Sequence, residues 1–191
     1  MQTRGKRAGG FSLIEVVVAL GILAVGGVLV LGLVTPVTRS VTATTEAETA
    51  ARAVESALLE LRARPWPEVA GRLKSEEDFV VQRQAERDGL YDPLRDAQLL
   101  FASREGGRVV GAEGPDVEKY YELTLVRDER LVPAASVATS PVLVFTVRVR
   151  WPTLVATGTD CVQVGARGAG EARRFDHSQK ETRFFAASLR R

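Results

Sequence analysis

The 191-residue chain has one cysteine, one histidine and one methionine, and aromatic residues make up only 6% of it. A lone thiol, Cys161, excludes an intramolecular disulfide and with it a fold stapled by cross-links. The same scarcity excludes thiolate clusters and His-rich metal centres. A half-buried place in a strand or loop accounts for Cys161 without a reactive role. Net charge is nearly absent, at +2, and Arg4, Lys6 and Arg7 alone outnumber that excess. From Thr35 onward acids and bases balance, so a strongly basic, nucleic-acid-binding protein loses most of its support. What the chain does have is a long apolar run. Between Phe11 and Val34 the only charged residue is Glu15.

A helix over that run spans roughly 36 Å at about 1.5 Å per residue, enough to cross a hydrocarbon core of about 30 Å. The run is too long for a secretory signal peptide, and no small-residue cleavage site follows it closely. A plain signal anchor satisfies the length, and the basic leader then keeps the N-terminus cytoplasmic. It does not account for Glu15. A carboxylate at the bilayer centre costs about 2.5–3.5 kcal/mol on insertion scales, and less near the surface. Something must compensate it.

The segment Gly10-Phe11-Ser12-Leu13-Ile14-Glu15-Val16-Val17-Val18-Ala19-Leu20 resembles the type III signal of type IV pilins, pseudopilins and related minor pilins. The resemblance implies that a prepilin peptidase cuts after Gly10 and methylates the new amine of Phe11. It also implies that Glu15, at the fifth mature position, partners the positive N-terminus of a neighbouring subunit during assembly. Physics supports such a pairing. An ammonium and a carboxylate attract far more strongly in a low-dielectric zone than in water, and each offsets the other's desolvation. The alternative is an ordinary signal-anchored domain whose Glu15 sits at headgroup level.

Gly21, Gly26, Gly27 and Gly32 permit close helix approach, although none has a partner at the four-residue offset of GxxxG. Gly26, Gly27 and Pro36 lower local helix stability. The resemblance makes them hinge candidates, because the corresponding pilin helix loosens on assembly; tolerated glycines in a membrane helix are the plain alternative. Beyond Pro36, Ala47, Ala51, Val54, Leu58 and Leu61 recur at helical steps and mark one apolar face. Pro65 and Pro67 end the pattern. The expected organisation is a cytoplasmic leader at 1–10, a long helix at 11–64 that is transmembrane over about 13–34, and a β-rich globular domain at 65–191.

Within that domain, Asp78–Arg83 reads as a short strand with an apolar centre. Gln98–Arg104 and Arg108–Val110 flank the turn residues Glu105-Gly106-Gly107 as a hairpin. Tyr120–Arg127 alternates, and Val142–Trp151 is the clearest strand, with Val147, Val149 and Trp151 on one face and Arg148 and Arg150 on the other. A last strand runs over Glu181–Leu189. The glycine-rich stretch from Pro152 to Lys180 reads as a long exposed loop. The fold class is therefore α+β, a long N-terminal helix packed on an antiparallel sheet, as in pilins. The disulfide common near the pilin C-terminus has no counterpart here, which favours a minor or pseudopilin-like subunit.

No catalytic motif is present, and the chain is not expected to be an enzyme. Asp176-His177-Ser178 has the residue types of a triad, but sequence neighbours rarely supply triad geometry, and a solvated loop is the simpler reading. No cofactor is expected; Asp116 and Glu118, or Asp128 and Glu129, are weak calcium candidates without the spacing of a recognised loop. Arg167, Arg173, Arg174, Lys180, Arg183, Arg190 and Arg191, interleaved with Phe175, Phe184 and Phe185, are the residues a DNA-uptake minor pilin would use. A solvated basic face with the aromatics in the core is the simpler reading, and DNA is not expected as a partner. The expected partners are prepilin peptidase, other pilin or pseudopilin subunits, the inner-membrane assembly machinery and the lipid bilayer. The expected location is the inner membrane, single-pass, with the domain periplasmic until a filament forms.

Overall fold

The computed structural model describes residues 12–137, 139–157, 160–168 and 174–191, without the side chains of 33–40. Contacts divide the chain into two compact units, 1–45 and 46–191. Helix α1 spans Leu13–Arg62, and its residues up to Thr45 fall in the first unit. There, Leu13–Gly32 is long and apolar enough to cross a bilayer. Its side chains are exposed on every side, with Leu13, Ile14, Ile22, Leu23, Val28 and Leu31 each 70% or more accessible. A helix that is apolar all round needs a non-aqueous surrounding.

The second unit begins inside α1, where the pattern changes to one buried stripe. Ala50, Ala53, Val54, Ala57 and Leu61 are buried, and they share a core with Leu100, Tyr121, Leu123, Leu125, Phe145, Val147, Val149 and Trp151. The expected face is thus shifted: Ala47, Ala51 and Leu58 are only half-buried, and three alanines form the centre. Small side chains let a helix backbone come close to a sheet, and larger residues would hold it off. Trp151 Nε1 donates to Glu46 Oε2 at 3.1 Å, and Ser56 Oγ donates to the Gly106 carbonyl at 2.9 Å. Burying a side chain such as Leu61 or Phe145 is worth about 1.5–3 kcal/mol. The surface pair Arg64–Glu60 is worth at most about 1 kcal/mol, so apolar packing decides this seam.

The sheet has five antiparallel strands in the order β2-β1-β3-β4-β9, where β1 is Leu100–Ala102, β2 Val109–Val110, β3 Tyr121–Arg127, β4 Val142–Trp151 and β9 Glu181–Arg190. The expected hairpin and the strands expected over Tyr120–Arg127, Val142–Trp151 and Glu181–Leu189 are present. Register pairs Leu123 with Val149 and Leu125 with Val147, and Val147 in turn with Phe185. This α+β arrangement of a long apolar N-terminal helix and an antiparallel sheet is pilin-like.

Two expectations are overturned. Asp78–Arg83 is not a strand but part of helix α3 (Glu76–Arg87), which follows the short helix α2 (Trp66–Arg72). Ser75 caps it by accepting from Asp78 N–H at 2.9 Å, with Glu76, Glu77 and Asp78 in its first turn and Arg87 in its last. Capping and dipole complementarity override a short apolar run. Nor is Pro152–Lys180 a plain exposed loop. Strands β5 (Leu154–Thr157) and β6 (Asp160–Gln163) form one hairpin, and β7 (Ala166–Arg167) and β8 (Arg174–Phe175) form another. Backbone bonds Val164–Thr153, Asp176–Gly165 and Phe175–Gly89 tie the described parts of the segment to each other and to α3's C-terminal turn.

Gly106 is the tightest point of the seam. It has φ +72°, and a Cβ there would lie 2.6 Å from the Thr49 carbonyl oxygen and 3.1 Å from Ala53 N. Gly107 beside it faces open space. Gly106→Ala should therefore lower stability by about 1–3 kcal/mol, whereas Gly107→Ala should leave it nearly unchanged. Thermal unfolding of the detergent-solubilised full chain checks both, and equal midpoints for the two variants would contradict the close approach.

Candidate functional site at the helix N-terminus

Helix α1 opens on Ser12-Leu13-Ile14-Glu15, the S-x-x-E form of a capping box. The glutamate half of the box is made, and the serine hydroxyl caps the N–H one position before N3. Ile14 N–H donates to Ser12 Oγ at 3.2 Å, and Ser12 N–H donates to Glu15 Oε2 at 2.8 Å. The Ser12 carbonyl accepts from the N–H groups of Glu15 and Val16 at 3.0 and 3.3 Å. Two orphan donors of the first turn are thereby satisfied, and the carboxylate faces the positive end of the helix dipole. Within one chain Glu15 already has a partner. The S-x-x-E spacing supplies this partner from within the chain.

The geometry places Glu15 where it can exchange partners. Its carboxylate binds the N–H of the residue that directly follows Phe11; Gly10 and Phe11 themselves lie outside the described residues. Replacing a neutral amide donor by an ammonium roughly doubles the strength of a hydrogen bond to a carboxylate. A free α-amine nearby would therefore compete well with the cap.

Residues 5–31 match the family model described as a prokaryotic N-terminal methylation motif. The chain carries the prepilin-type signal of type IV pilins and pseudopilins. A search of the curated proteins and one of the solved structures give no match, so this signal, together with the helix-on-sheet fold, makes the protein pilin-like. Processing by prepilin peptidase and assembly with other pilins follow from the signal at that general level, and one apolar N-terminal helix accords with anchoring in the inner membrane.

The remaining candidates are scattered. Gly26, Gly27 and Pro36 all lie within the continuous helix α1. Cys161 is half-buried in β6. The carboxylates considered for calcium are engaged by other groups: Asp116 by Lys119 at 2.9 Å, Glu118 by Arg108 at 2.8 Å, Glu129 by Arg127 at 2.8 Å, and Asp128 by the N–H of Arg130 at 3.0 Å. No cluster of three or more metal-ligating side chains occurs among the described residues. Among the tail cations, Arg174, Arg183, Arg190 and Arg191 are exposed, Arg167 reaches Asp176 at 3.4 Å, and Arg173 is outside the described residues. Phe175 is buried, Phe185 half-buried and Phe184 61% exposed. The solvated-loop reading of Asp176-His177-Ser178 is corrected for its histidine, which is half-buried with Nε2 2.9 Å from the Tyr91 carbonyl. Asp176 Oδ1 accepts instead from Ser178 Oγ at 2.5 Å and Ser178 N–H at 3.1 Å.

Lys180, expected on a solvated face, is in fact buried in a charge cluster that the sequence did not reveal. Its Nζ lies 2.7 Å from Glu122 Oε2, and Arg150 pairs with the other oxygen of that carboxylate. Arg150 also meets Glu86 of α3 at 2.9 Å, and Arg148 grips Glu86 with two bonds of 2.6 and 3.0 Å. Alternation placed Arg148 and Arg150 on the outer face correctly; α3 and the segment ahead of β9 are what cover that face. Glu122 is fully buried, and burial alone would raise its pKa. Lys180 first, then Arg150, outweigh burial and pull it down to about 2. Glu86 is lowered as well, where the Arg148 hydrogen bonds and the Arg150 charge outweigh desolvation.

A depressed carboxylate stabilises the fold above its unfolded pKa of about 4.3 and loses that contribution as pH falls through the folded value. Stability should therefore hold above about pH 4.5 and decline toward pH 2, by something on the order of 3 kcal/mol for Glu122. Glu122→Gln should flatten this acid limb and cost about 3–5 kcal/mol at neutral pH, since it strands buried cations. Unfolding midpoints measured from pH 2 to 7 test both statements. An acid limb of unchanged slope in the variant would show that the cluster is not its source.

Proposed function

We propose that this protein is a structural, non-catalytic subunit, a minor pilin or pseudopilin of a type IV pilus or a type II secretion pseudopilus. Prepilin peptidase removes residues 1–10 on the cytoplasmic side and methylates the amine of Phe11. The subunit is stored in the inner membrane through Leu13–Gly32, with the sheet domain periplasmic, until the assembly machinery adds it to a filament. No cofactor takes part.

The observation that carries this reading is the position of Glu15. It is the fifth residue after the Gly10–Phe11 bond, its carboxylate sits at the first turn of α1, and it is held by the amide that follows Phe11. In the stored subunit this capping bond keeps the carboxylate satisfied. In the filament a neighbour's Phe11 ammonium takes its place, and apolar helices pack side by side. Exposure of the apolar span on all sides supports packing of that kind. DNA is not among the partners proposed, because Lys180 and Phe175, which a DNA-binding tail would use, are buried.

Co-expression with a prepilin peptidase should yield a chain that begins at Phe11 and is heavier by one methyl group, read by intact mass and N-terminal sequencing. Retention of Met1 or Gln2 with and without the peptidase would make the protein an ordinary signal-anchored domain. Glu15→Ala should insert into the membrane normally, yet reduce recovery in cross-linked filament or oligomer by about ten-fold, the equivalent of about 1.4 kcal/mol. Undiminished assembly of that variant would remove Glu15 from the mechanism.

A further inference from the structure

The buried cluster is not neutral. Among the described residues, Arg148, Arg150 and Lys180 are matched by Glu86 and Glu122, which leaves one excess cation in that cluster. A cleft of about 400 Å³ borders it, lined by Arg83, Glu86, Arg87, Arg150, Asp176 and His177. Arg83 and Arg87 stand one helical turn apart on α3, exposed and without a carboxylate partner among the described residues. They add two more positive charges at the mouth. The acids there are already committed: Glu86 to Arg148 and Arg150, and Asp176 to Ser178 and Arg167.

Burial first, and then the charges of Arg150 and Lys180, lower the pKa of His177 on the wall of the cleft. The ring is neutral and its Nε2–H donates to the Tyr91 carbonyl. That leaves Nδ1 as a buried acceptor without a partner.

We propose that this cleft binds a small oxyanion, the phosphate or carboxylate group of a low-molecular-weight ligand. Arg83 and Arg87 supply the charged donors, as guanidinium groups suit both kinds of oxyanion. Arg150 sets the potential from behind while it stays paired to Glu122 and Glu86. Bound negative charge also offsets the unmatched cation of the cluster, so occupancy stabilises the fold through mass action.

Thermal unfolding of the full-length chain in zwitterionic detergent tests this at pH 7 and constant ionic strength, with chloride exchanged for inorganic phosphate in one arm and malonate in the other. The midpoint should rise saturably in at least one arm, and that arm identifies phosphate or carboxylate as the preferred group. Arg83→Ala/Arg87→Ala removes two exposed, unpaired side chains, so the variant should fold with a near wild-type midpoint in chloride. Its apparent Kd for the anion should be weaker by ten-fold or more. A saturable rise of the same size and Kd in the double variant would overturn the assignment, as would a rise in neither arm. Single variants serve if the double variant unfolds early: a Kd unchanged by both Arg83→Ala and Arg87→Ala counts against the site.

Discussion

A carboxylate with no access to water organises the globular unit. Glu122 stands on β3, meets Arg150 on the neighbouring strand β4, and is reached by Lys180 just ahead of β9. Arg150 passes the connection on to Glu86 of α3. One buried group thereby joins two strands, the residue ahead of a third and, through Arg150, a helix. An uncompensated charge at that depth costs several kcal/mol, so each partner is needed where it is. The sheet can be covered on both faces because the second face is internally paired.

The opposite face obeys a different constraint. Helix α1 passes from a stretch apolar on every side, Leu13–Gly32, to one that buries a single narrow stripe. The alanines of that stripe let the helix approach the sheet until Gly106 lies against the Thr49 carbonyl. At the other end the lone carboxylate Glu15 is held in the helix's own capping box. A local bond stabilises it in one chain. In the proposed function, storage and assembly call on this one side chain with two alternative donors.

The elements that could be read along the chain were those whose patterns are local. The apolar run, the helix stop before Pro65, and the alternation of Val142–Trp151 each carry their own periodicity, and all three appear in the structure. Asp78–Arg83 has a short apolar centre that resembles a strand, but Ser75 and the acids after it start helix α3 there. The glycine-rich stretch after Pro152 misled because its hairpins are fixed by backbone bonds to distant residues such as Gly89 and Tyr120. The S-x-x-E spacing at Ser12 is likewise local, and the structure forms its Glu15 bond.

The sequence by itself determined that the chain has an apolar N-terminal segment long enough to cross a membrane, that it bears a prepilin-type signal containing Glu15, and that a sheet follows a long helix. Those properties depend on hydrophobicity and spacing along one segment. Only the tertiary structure decided which charges lose contact with water. Arg148, Arg150 and Lys180 look like surface residues in the sequence, and α3 and the segment ahead of β9 turn them into a buried cluster. Whether a charge is solvated depends on what packs over it, and strand alternation carries no information about that cover.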